Sequence, residues 1–180
     1  MSATAVKTIW GIDPTHSEIQ FKVRHMMIST VTGNFNQFEG TLEAQDDTFE
    51  DATINFSADI NSISTNNDHR DTHLKSDDFF NAAQFPKMIF RGTNFNKVAD
   101  NQYHLTGDLT IRDITKSVTL TAEHQGTMVD PYGNIKAGFE INGQVNRKEF
   151  GLMWSAVTEA GGIVVSDEVK LHLNVQVVKQ

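Results

Sequence analysis

Apolar and polar residues alternate along most of this chain, which is the pattern of β-strands that bury one face. The clearest early run is Glu18–His25, a second covers residues 52–60, and the alternation resumes at Lys87. The later runs keep one parity apolar; those residues are Tyr103, Leu105, Leu109 and Ile111, then Val118, Leu120 and Ala122, then Ala137, Phe139, Ile141 and Val145, and finally Val169, Leu171, Leu173, Val175 and Val177. The pattern predicts an all-β protein.

The segments between these runs are short and polar, as in hairpin connections. Residues 130–134 combine Asp, Pro, Gly and Asn in a tight turn, and residues 112–116 form a short polar link. Phe35 and Phe38 are out of phase, which predicts a β-bulge near Asn36. This spacing favours an extended antiparallel β-barrel of roughly eight strands. Such a barrel either fills itself with side chains or holds one small ligand.

A polar segment around residues 67–80 interrupts the alternation and is the main helical candidate. Asn66 or Asn67 can cap the helix, because either side chain can accept a hydrogen bond from the first turn. The segment ends in an apolar cluster that includes Phe79 and Phe80. We therefore predict a short helical insert that covers a cavity.

The composition describes one soluble globular domain spanning residues 1–180. The net charge of -8 argues against binding to nucleic-acid phosphates, which needs a concentrated basic surface. No apolar stretch is long enough to insert into a bilayer. The chain has no Cys, so cysteine nucleophiles and thiolate metal sites are excluded. We predict no nucleic-acid partner and no membrane insertion.

Residues 1–7 have neither a positively charged start nor an apolar run, so they do not resemble a signal peptide. We therefore expect a cytoplasmic protein. A periplasmic location is the alternative if a signal peptide has been removed.

The sequence offers little support for catalysis or metal binding. His69 and His73 would share one face of the predicted helix, and two such histidines can bind a metal. No third ligand is marked nearby, so we predict no metal site and no cofactor. The sequence also lacks a glycine-flanked serine and a phosphate-binding loop. We therefore expect a protein that is not an enzyme.

Four blocks of the sequence form one ordered pattern. They are Trp10-Gly-Ile-Asp-Pro-Thr-His-Ser with Phe21-Lys-Val-Arg-His-Met and Val31-Thr-Gly-Asn-Phe; Arg70-Asp71-x-His73-Leu74-Lys75-Ser76-x-Asp78-Phe79-Phe80 with Phe85-Pro86; Gly107-x-Leu109-Thr110-Ile111-Arg112 with Thr115-Lys116; and Arg147-Lys148-x-Phe150-Gly151-Leu152. Together they resemble the YceI-like family, in family order and over nearly the whole chain. Asp113 departs from the pattern, since family members often carry Gly after the Arg.

The resemblance implies a lipocalin-like antiparallel β-barrel with a helical insert. It also implies an elongated apolar pocket for a long-chain polyisoprenoid or similar amphiphilic lipid. Family members are binding proteins without an established enzymatic activity. Dimers are common among them and many are exported to the periplasm, so we expect a homodimer that binds a small-molecule lipid for transport, storage or sequestration.

The predicted lipid site has a wall and a set of polar residues for the head group. The wall candidates are Phe21, Val23, His25, Phe35, Ile54, Phe56, Phe79, Phe80, Phe90, Leu109, Phe139 and Trp154. The head-group candidates are His16, Arg24, Arg70, His73, Arg112 and Arg147. For Arg70 and Asp71, a structural tie and a head-group contact both remain open.

Two other hypotheses compete with lipid binding. One is an enzyme acting on a hydrophobic substrate, with His25 or His73 as the base. The other is a structural or interaction barrel whose interior is filled by side chains.

Overall fold

The fold is seen in a computed structural model that describes residues 7–45, 49–154 and 165–180. Residues 1–6, on which the expected location depends, lie outside these ranges. The helix in the described part is α1 (Asp68–Lys75), and 3₁₀ turns cover Pro14–His16, Ile60–Ser62 and Arg147–Phe150. The strands there are β1 (Lys7–Ile12), β2 (Glu18–His25), β3 (Ser29–Phe35), β4 (Phe38–Gln45), β5 (Thr53–Asp59), β6 (Ile63–Ser64), β7 (Lys87–Ala99), β8 (Gln102–Ile111), β9 (Ile114–Val129), β10 (Ile135–Asn146) and β11 (Val165–Lys179).

Antiparallel pairing joins all these strands in one sheet. Eight of them form a ring in the order β1, β4, β5, β7, β8, β9, β10 and β11, and β11 pairs back to β1. The hairpin of β2 and β3, followed by β6, continues the sheet from β11. The predicted all-β antiparallel barrel with a short helical insert is confirmed.

Strand β8 shows how the sequence sets the inside of the barrel. Tyr103, Leu105 and Leu109 are buried, while His104 and Asp108 between them face solvent. Successive side chains on a strand point to opposite faces, so the apolar parity must turn inward. Removing that surface from water stabilises the fold by about 25 cal/mol per Å².

Aromatic side chains fill one end of the barrel, which we call the closed end and define by Trp10, Phe49, Phe95 and Phe139. All four are buried. Phe49 comes from the segment between β4 and β5, and its ring centroid lies 5.3 Å from that of Trp10 and 5.0 Å from that of Phe139. Ala52, predicted to begin a strand, is instead buried just before β5. This end of the barrel is packed core.

The insert begins where its predicted cap stands. Asn67 is the N-cap of α1, and its Oδ1 accepts a hydrogen bond from the backbone N–H of Arg70 at 3.0 Å. After the helix the chain folds Phe79 and Phe80 against the barrel. The Phe80 ring meets Phe35 of β3 edge-on at 6.1 Å. The apolar side of the insert therefore turns inward, as a cap would.

The bulge predicted near Asn36 is wrong. Phe35 ends β3 and Phe38 begins β4, and these two strands do not pair with each other. The backbone N–H of Asn36 instead donates to the carbonyl of Ser62 at 3.2 Å. The two phenylalanines are out of phase because the chain passes here from one pair of strands to another.

The turn between β2 and β3 has an unusual backbone. Met26 and Met27 have φ values of 53° and 59°, in the left-handed region. The N–H of Ile28 closes the turn on the carbonyl of His25 at 3.2 Å. Residues with a Cβ lose about 1–2 kcal/mol each in this region relative to the right-handed one. The hairpin therefore carries local strain.

Two glycines test how tightly the barrel wall is packed. A Cβ at Gly107 would lie 2.7 Å from Cζ of Phe90 and 2.8 Å from Cα of Gly92, so Gly107→Ala forces the wall apart. We expect the free energy of unfolding to fall by about 1–3 kcal/mol in urea denaturation. At Gly138 the nearest atom is Cβ of Gln125 at 3.9 Å. Gly138→Ala should stay within about 0.5 kcal/mol of the parent, and equal losses in the two variants would contradict this packing.

Candidate functional site

A cavity of about 370 Å³ lies inside the barrel, between the closed end and the insert. Inward residues of β1 to β5 and of β7 to β11 make most of its wall, together with residues of α1 and of the segments that follow α1 and β10. Most of these side chains are apolar, because each strand turns its apolar parity inward. The cavity contradicts the hypothesis of a completely filled barrel.

Strand β11 supplies a long stretch of the wall. Its inward residues alternate along the strand; they are Val165, Val169, Leu171, Leu173, Val175 and Val177. None of them was among the predicted wall residues. The signal was present in the sequence, since the same residues hold one parity, but parity does not show which stretch packs as core and which borders a cavity.

All twelve predicted wall residues border the cavity. They are Phe21, Val23, His25, Phe35, Ile54, Phe56, Phe79, Phe80, Phe90, Leu109, Phe139 and Trp154. That a ligand contacts them stays a prediction.

The structure divides the six head-group candidates in half. The three on the cavity wall are Arg70, His73 and Arg147, and the three away from it are His16, Arg24 and Arg112. A head group held inside the cavity would therefore not meet the second three.

Two of the excluded candidates lie on the outside of the protein. Arg24 has the outward parity of β2, and its Nη2 donates to the carbonyl of Met27 at 2.6 Å. His16 lies in a 3₁₀ turn, where its Nδ1 is 2.8 Å from Oδ2 of Asp13. Both side chains stabilise local turns.

Arg112 anchors the insert to the barrel. It lies in the turn between β8 and β9, and its Nη1 donates to the carbonyls of Asp77 and Phe79, both at 3.1 Å. Its Nη2 donates to Oδ1 of Asp77 at 2.9 Å, and its guanidinium lies 5.7 Å from the centroid of the Phe85 ring. The side chain is therefore committed to structure.

Arg70 and Asp71 have different partners. The buried carboxylate of Asp71 accepts hydrogen bonds from the N–H and Oγ1 of Thr65, at 2.8 and 2.5 Å. Arg70 donates from Nε to Oγ1 of Thr65 and from Nη2 to its carbonyl, both at 2.7 Å. Within the described residues, Nη1 of Arg70 has no acceptor and no carboxylate lies within 4.0 Å of the guanidinium. Asp71 is a structural tie, whereas Arg70 keeps a free N–H edge at the wall.

His73 is held between aromatic rings. Its imidazole meets Trp154 edge-on at 4.9 Å and Phe79 at 5.1 Å, and its Nε2 lies 2.8 Å from Oδ2 of Asp78. In the part of the chain that the structure describes, no side-chain hydroxyl hydrogen-bonds to the imidazole of His73 or of His25. Those residues therefore form no nucleophile–base pair of the kind that hydrolases use.

Arg147 links the segment 152–154 to the start of β11. It is 3% exposed, and its Nη1 donates to the carbonyls of Leu152 and Trp154 at 2.6 and 2.7 Å. Its Nε donates to the carbonyl of Ser166 at 2.9 Å. Burial lowers the pKa of Arg147 and Asp167 opposes that shift, so the guanidinium keeps its charge. The guanidinium therefore fixes the backbone of Trp154, which borders the cavity.

No group of three or more metal-ligating side chains occurs within residues 7–45, 49–154 and 165–180. No helix in those ranges is long and apolar enough to cross a membrane.

At the closed end, burial lowers the pKa of His124, whose ring lies 5.2 Å from Phe49 and 5.1 Å from Phe139. That histidine packs against the aromatic rings of the closed end.

The model of the YceI-like domain matches residues 10–177. This chain belongs to the YceI-like family. The resemblance seen in the four sequence blocks is thereby confirmed.

Relatives within the family extend over the full length of this chain. Protein YceI of Salmonella newport (strain SL254) is 34% identical over 181 residues, covering 99% of this chain and 91% of that protein. The crystal structure of a Campylobacter jejuni YCEI protein has 28% identity and a TM-score of 0.75, with 100% and 99% of the two chains covered. These matches place the whole barrel and its insert within one family.

Two more distant structures share the fold alone. Burkholderia cenocepacia BcnA has 18% identity and a TM-score of 0.80, with 92% of this chain and 98% of that chain covered. A polyisoprenoid binding domain from Saccharophagus degradans, implicated in plant cell wall breakdown, has 13% identity and a TM-score of 0.71, with 95% and 98% covered. The YceI-like barrel is therefore kept at low sequence identity.

The Arg147 contacts predict a loss of stability on a conservative change. In Arg147→Lys the ammonium cannot reproduce the planar fork that reaches the carbonyls of Leu152, Trp154 and Ser166. Leaving buried acceptors without donors should lower the free energy of unfolding by about 1–3 kcal/mol, measured in urea. Arg91→Lys, on the exposed face of β7, is the matched control and should change stability by less than about 0.5 kcal/mol. Similar losses in both variants would argue against the role of Arg147.

The Asp13 turn predicts a specific dependence on pH. Hydrogen bonds from Thr15 and His16 lower the pKa of Asp13 to about 2. The folded pKa is below the unfolded value, so the charge stabilises the fold above about pH 4 and that contribution is lost as the pH falls through 2. Asp13→Asn keeps the cap but removes the charge. The parent should be the more stable protein at pH 7, and urea denaturation should show the two converging near pH 2; a constant difference would contradict the assignment.

Proposed function

We propose that this chain binds a long-chain isoprenoid or similar amphiphilic lipid, with the tail inside the barrel cavity and the head group beside Arg70 and His73. The observation that carries the proposal is the continuous apolar wall of a cavity in a barrel that is otherwise well packed. The polyisoprenoid binding of the Saccharophagus degradans domain, which has the same fold, supports it. Transport, storage, sequestration and the expected homodimer stay predictions.

The cavity suits an apolar chain. Its volume of about 370 Å³ falls in the range of small-molecule pockets, which is roughly 300–1,000 Å³. Each 100 Å² of tail surface removed from water would contribute about 2.5 kcal/mol. An apolar wall offers few directional bonds, so it selects a tail by length and cross-section.

The head-group end is defined by α1. Arg70 and His73 are three positions apart, so they share one face of the helix, and both border the cavity. Thr65 holds the guanidinium by two hydrogen bonds, and Asp71 in turn holds Thr65. A positioned guanidinium edge suits a phosphate or carboxylate, because it can donate two parallel hydrogen bonds. We therefore infer a polar or anionic head group.

The test uses two short isoprenoids that differ only in the head group, farnesol and farnesyl phosphate. Native mass spectrometry should show a one-to-one adduct of each with the parent protein. Arg70→Met should weaken binding of farnesyl phosphate by about tenfold or more, because a charge-assisted hydrogen bond is lost, and should leave farnesol nearly unchanged. Organic extraction of freshly purified protein should yield a lipid of several hundred daltons, roughly the mass of a long isoprenoid that fills such a pocket.

Matched variants separate the tail from the head group. Arg91→Met removes an exposed arginine from β7 and should affect neither ligand. Leu171→Glu places a carboxylate on the cavity wall and should abolish both adducts, with circular dichroism checking the fold. A folded parent protein that binds neither isoprenoid would overturn the proposed function. Equal binding of farnesyl phosphate by the parent and Arg70→Met would overturn the assignment of the head group alone.

A further inference from the structure

The turn between β2 and β3 presents three apolar side chains to solvent, and we call Met26, Met27 and Ile28 the apolar tip. Their exposed fractions are 44%, 58% and 82%. Exposed apolar residues are common singly, whereas a contiguous exposed apolar patch is typical of an interaction site. The tip belongs to no part of the core described above.

The backbone of the tip is strained for the residues that occupy it. Both methionines have φ in the left-handed region, at 53° and 59°. Hairpin turns with this geometry favour Asn followed by Gly, since these residues tolerate the conformation. With methionine at both positions, the turn is less stable than it would be with Asn followed by Gly. Local strain of this kind points to a role for the side chains themselves.

The tip stands at the end of the barrel away from the closed end. Along β11, Lys179 pairs with Trp10 at the closed end, whereas Val165 pairs with His25 beside the tip. These two positions of β11 are separated by roughly 46 Å of extended strand. His25, Val31 and Val165 all border the cavity. The cavity wall therefore runs up to the tip.

Cationic side chains flank the tip on the outside of the barrel. Arg24 folds against it and donates to the carbonyl of Met27 at 2.6 Å. Lys22 and Lys170 are exposed and face each other across β2 and β11, although like charges in that position repel. Within the described residues none of the three cations has a carboxylate within 4.0 Å. Asp167 and Glu168 are acidic neighbours on β11, in a chain of net charge -8.

We propose that the apolar tip inserts into the surface of a lipid bilayer that contains anionic lipids, with Lys22, Arg24 and Lys170 against the headgroups. Apolar side chains bind at the boundary between headgroups and acyl chains, and cations nearby add attraction to an anionic surface. The tip enters only the headgroup boundary while the barrel stays outside the bilayer, so this docking differs from the insertion of a long apolar stretch, which the sequence lacks. This inference rests on the proposed function, because docking there brings the cavity beside the lipids that it would take up.

Flotation with vesicles of phosphatidylcholine, with and without phosphatidylglycerol, tests the docking. The parent protein should float with the anionic vesicles, and added salt should reduce the bound fraction severalfold through screening of the cations. The variant Met26→Asn/Met27→Gly/Ile28→Thr should bind the same vesicles about tenfold more weakly, since its apolar surface is lost. It should also melt at a temperature no lower than that of the parent, because the new turn is unstrained.

The chain offers a matched control at the opposite end. Met128 and Val129 lie in β9 near the closed end and are 72% and 60% exposed. Met128→Ser/Val129→Thr removes a similar apolar surface there and should leave flotation unchanged. Weaker flotation in the control and the tip variant alike would overturn the assignment of the tip.

Farnesol binding without vesicles separates this inference from the proposed function. If farnesol binds but the parent does not float, or if the tip variant floats like the parent, docking is overturned and the lipid-binding function stands. If the protein floats through the tip but takes up no farnesol, docking stands and the lipid-binding function fails. Light scattering that shows a parent dimer and a monomeric tip variant would mean that a second copy of the chain covers the tip. That result would overturn the proposal that the tip docks on a bilayer.

Discussion

Backbone pairing between β1 and the C-terminal end of β11 closes the ring of strands, with Trp10 opposite Lys179 and Ile12 opposite Val177. This short contact gives the sheet an inside and an outside, so that the parity of a residue decides whether it meets water. An open sheet of the same strands would expose the apolar face that here borders the cavity. It would also leave two edges with unpaired hydrogen-bonding groups. The filled closed end and the hollow middle both depend on closure.

Three arginines near the insert show how hydrogen bonding separates structural from binding roles. Arg147 and Arg112 donate mainly to backbone carbonyls, which hold chain segments in place around the barrel. Arg70 is oriented by Thr65 but keeps one side of its guanidinium unengaged in the described part of the chain. The residue type alone does not distinguish these roles, because a guanidinium has five donors and its neighbours decide how many are used.

Much of the fold could be predicted because strand parity and helix caps are local signals. The alternation in β8 and the cap at Asn67 depend on residues a few positions apart, and the wall residues follow from the same parity. Phe49 at the closed end and the contact of Arg112 with Asp77 join distant segments, so no local pattern reveals them. Arg24 is a different case, because its position in the alternation of β2 already indicates that its side chain faces solvent. Strand parity also says nothing about the volume of a cavity. Only the packing of the inward side chains distinguishes a filled barrel from a hollow one.

The aromatic closed end also constrains the kinetics of any occupant. A chain that enters a tunnel blocked at its far end must leave by reversing its path, and a second chain cannot displace the first from behind. Exchange therefore waits for dissociation, and the residence time of the bound lipid sets how often one protein molecule can be reloaded. Affinity also increases with chain length only up to the depth of the tunnel, because units that extend beyond it stay in water and add no affinity. The depth available to the chain is counted from the ring of Phe139, which borders the cavity at the closed end.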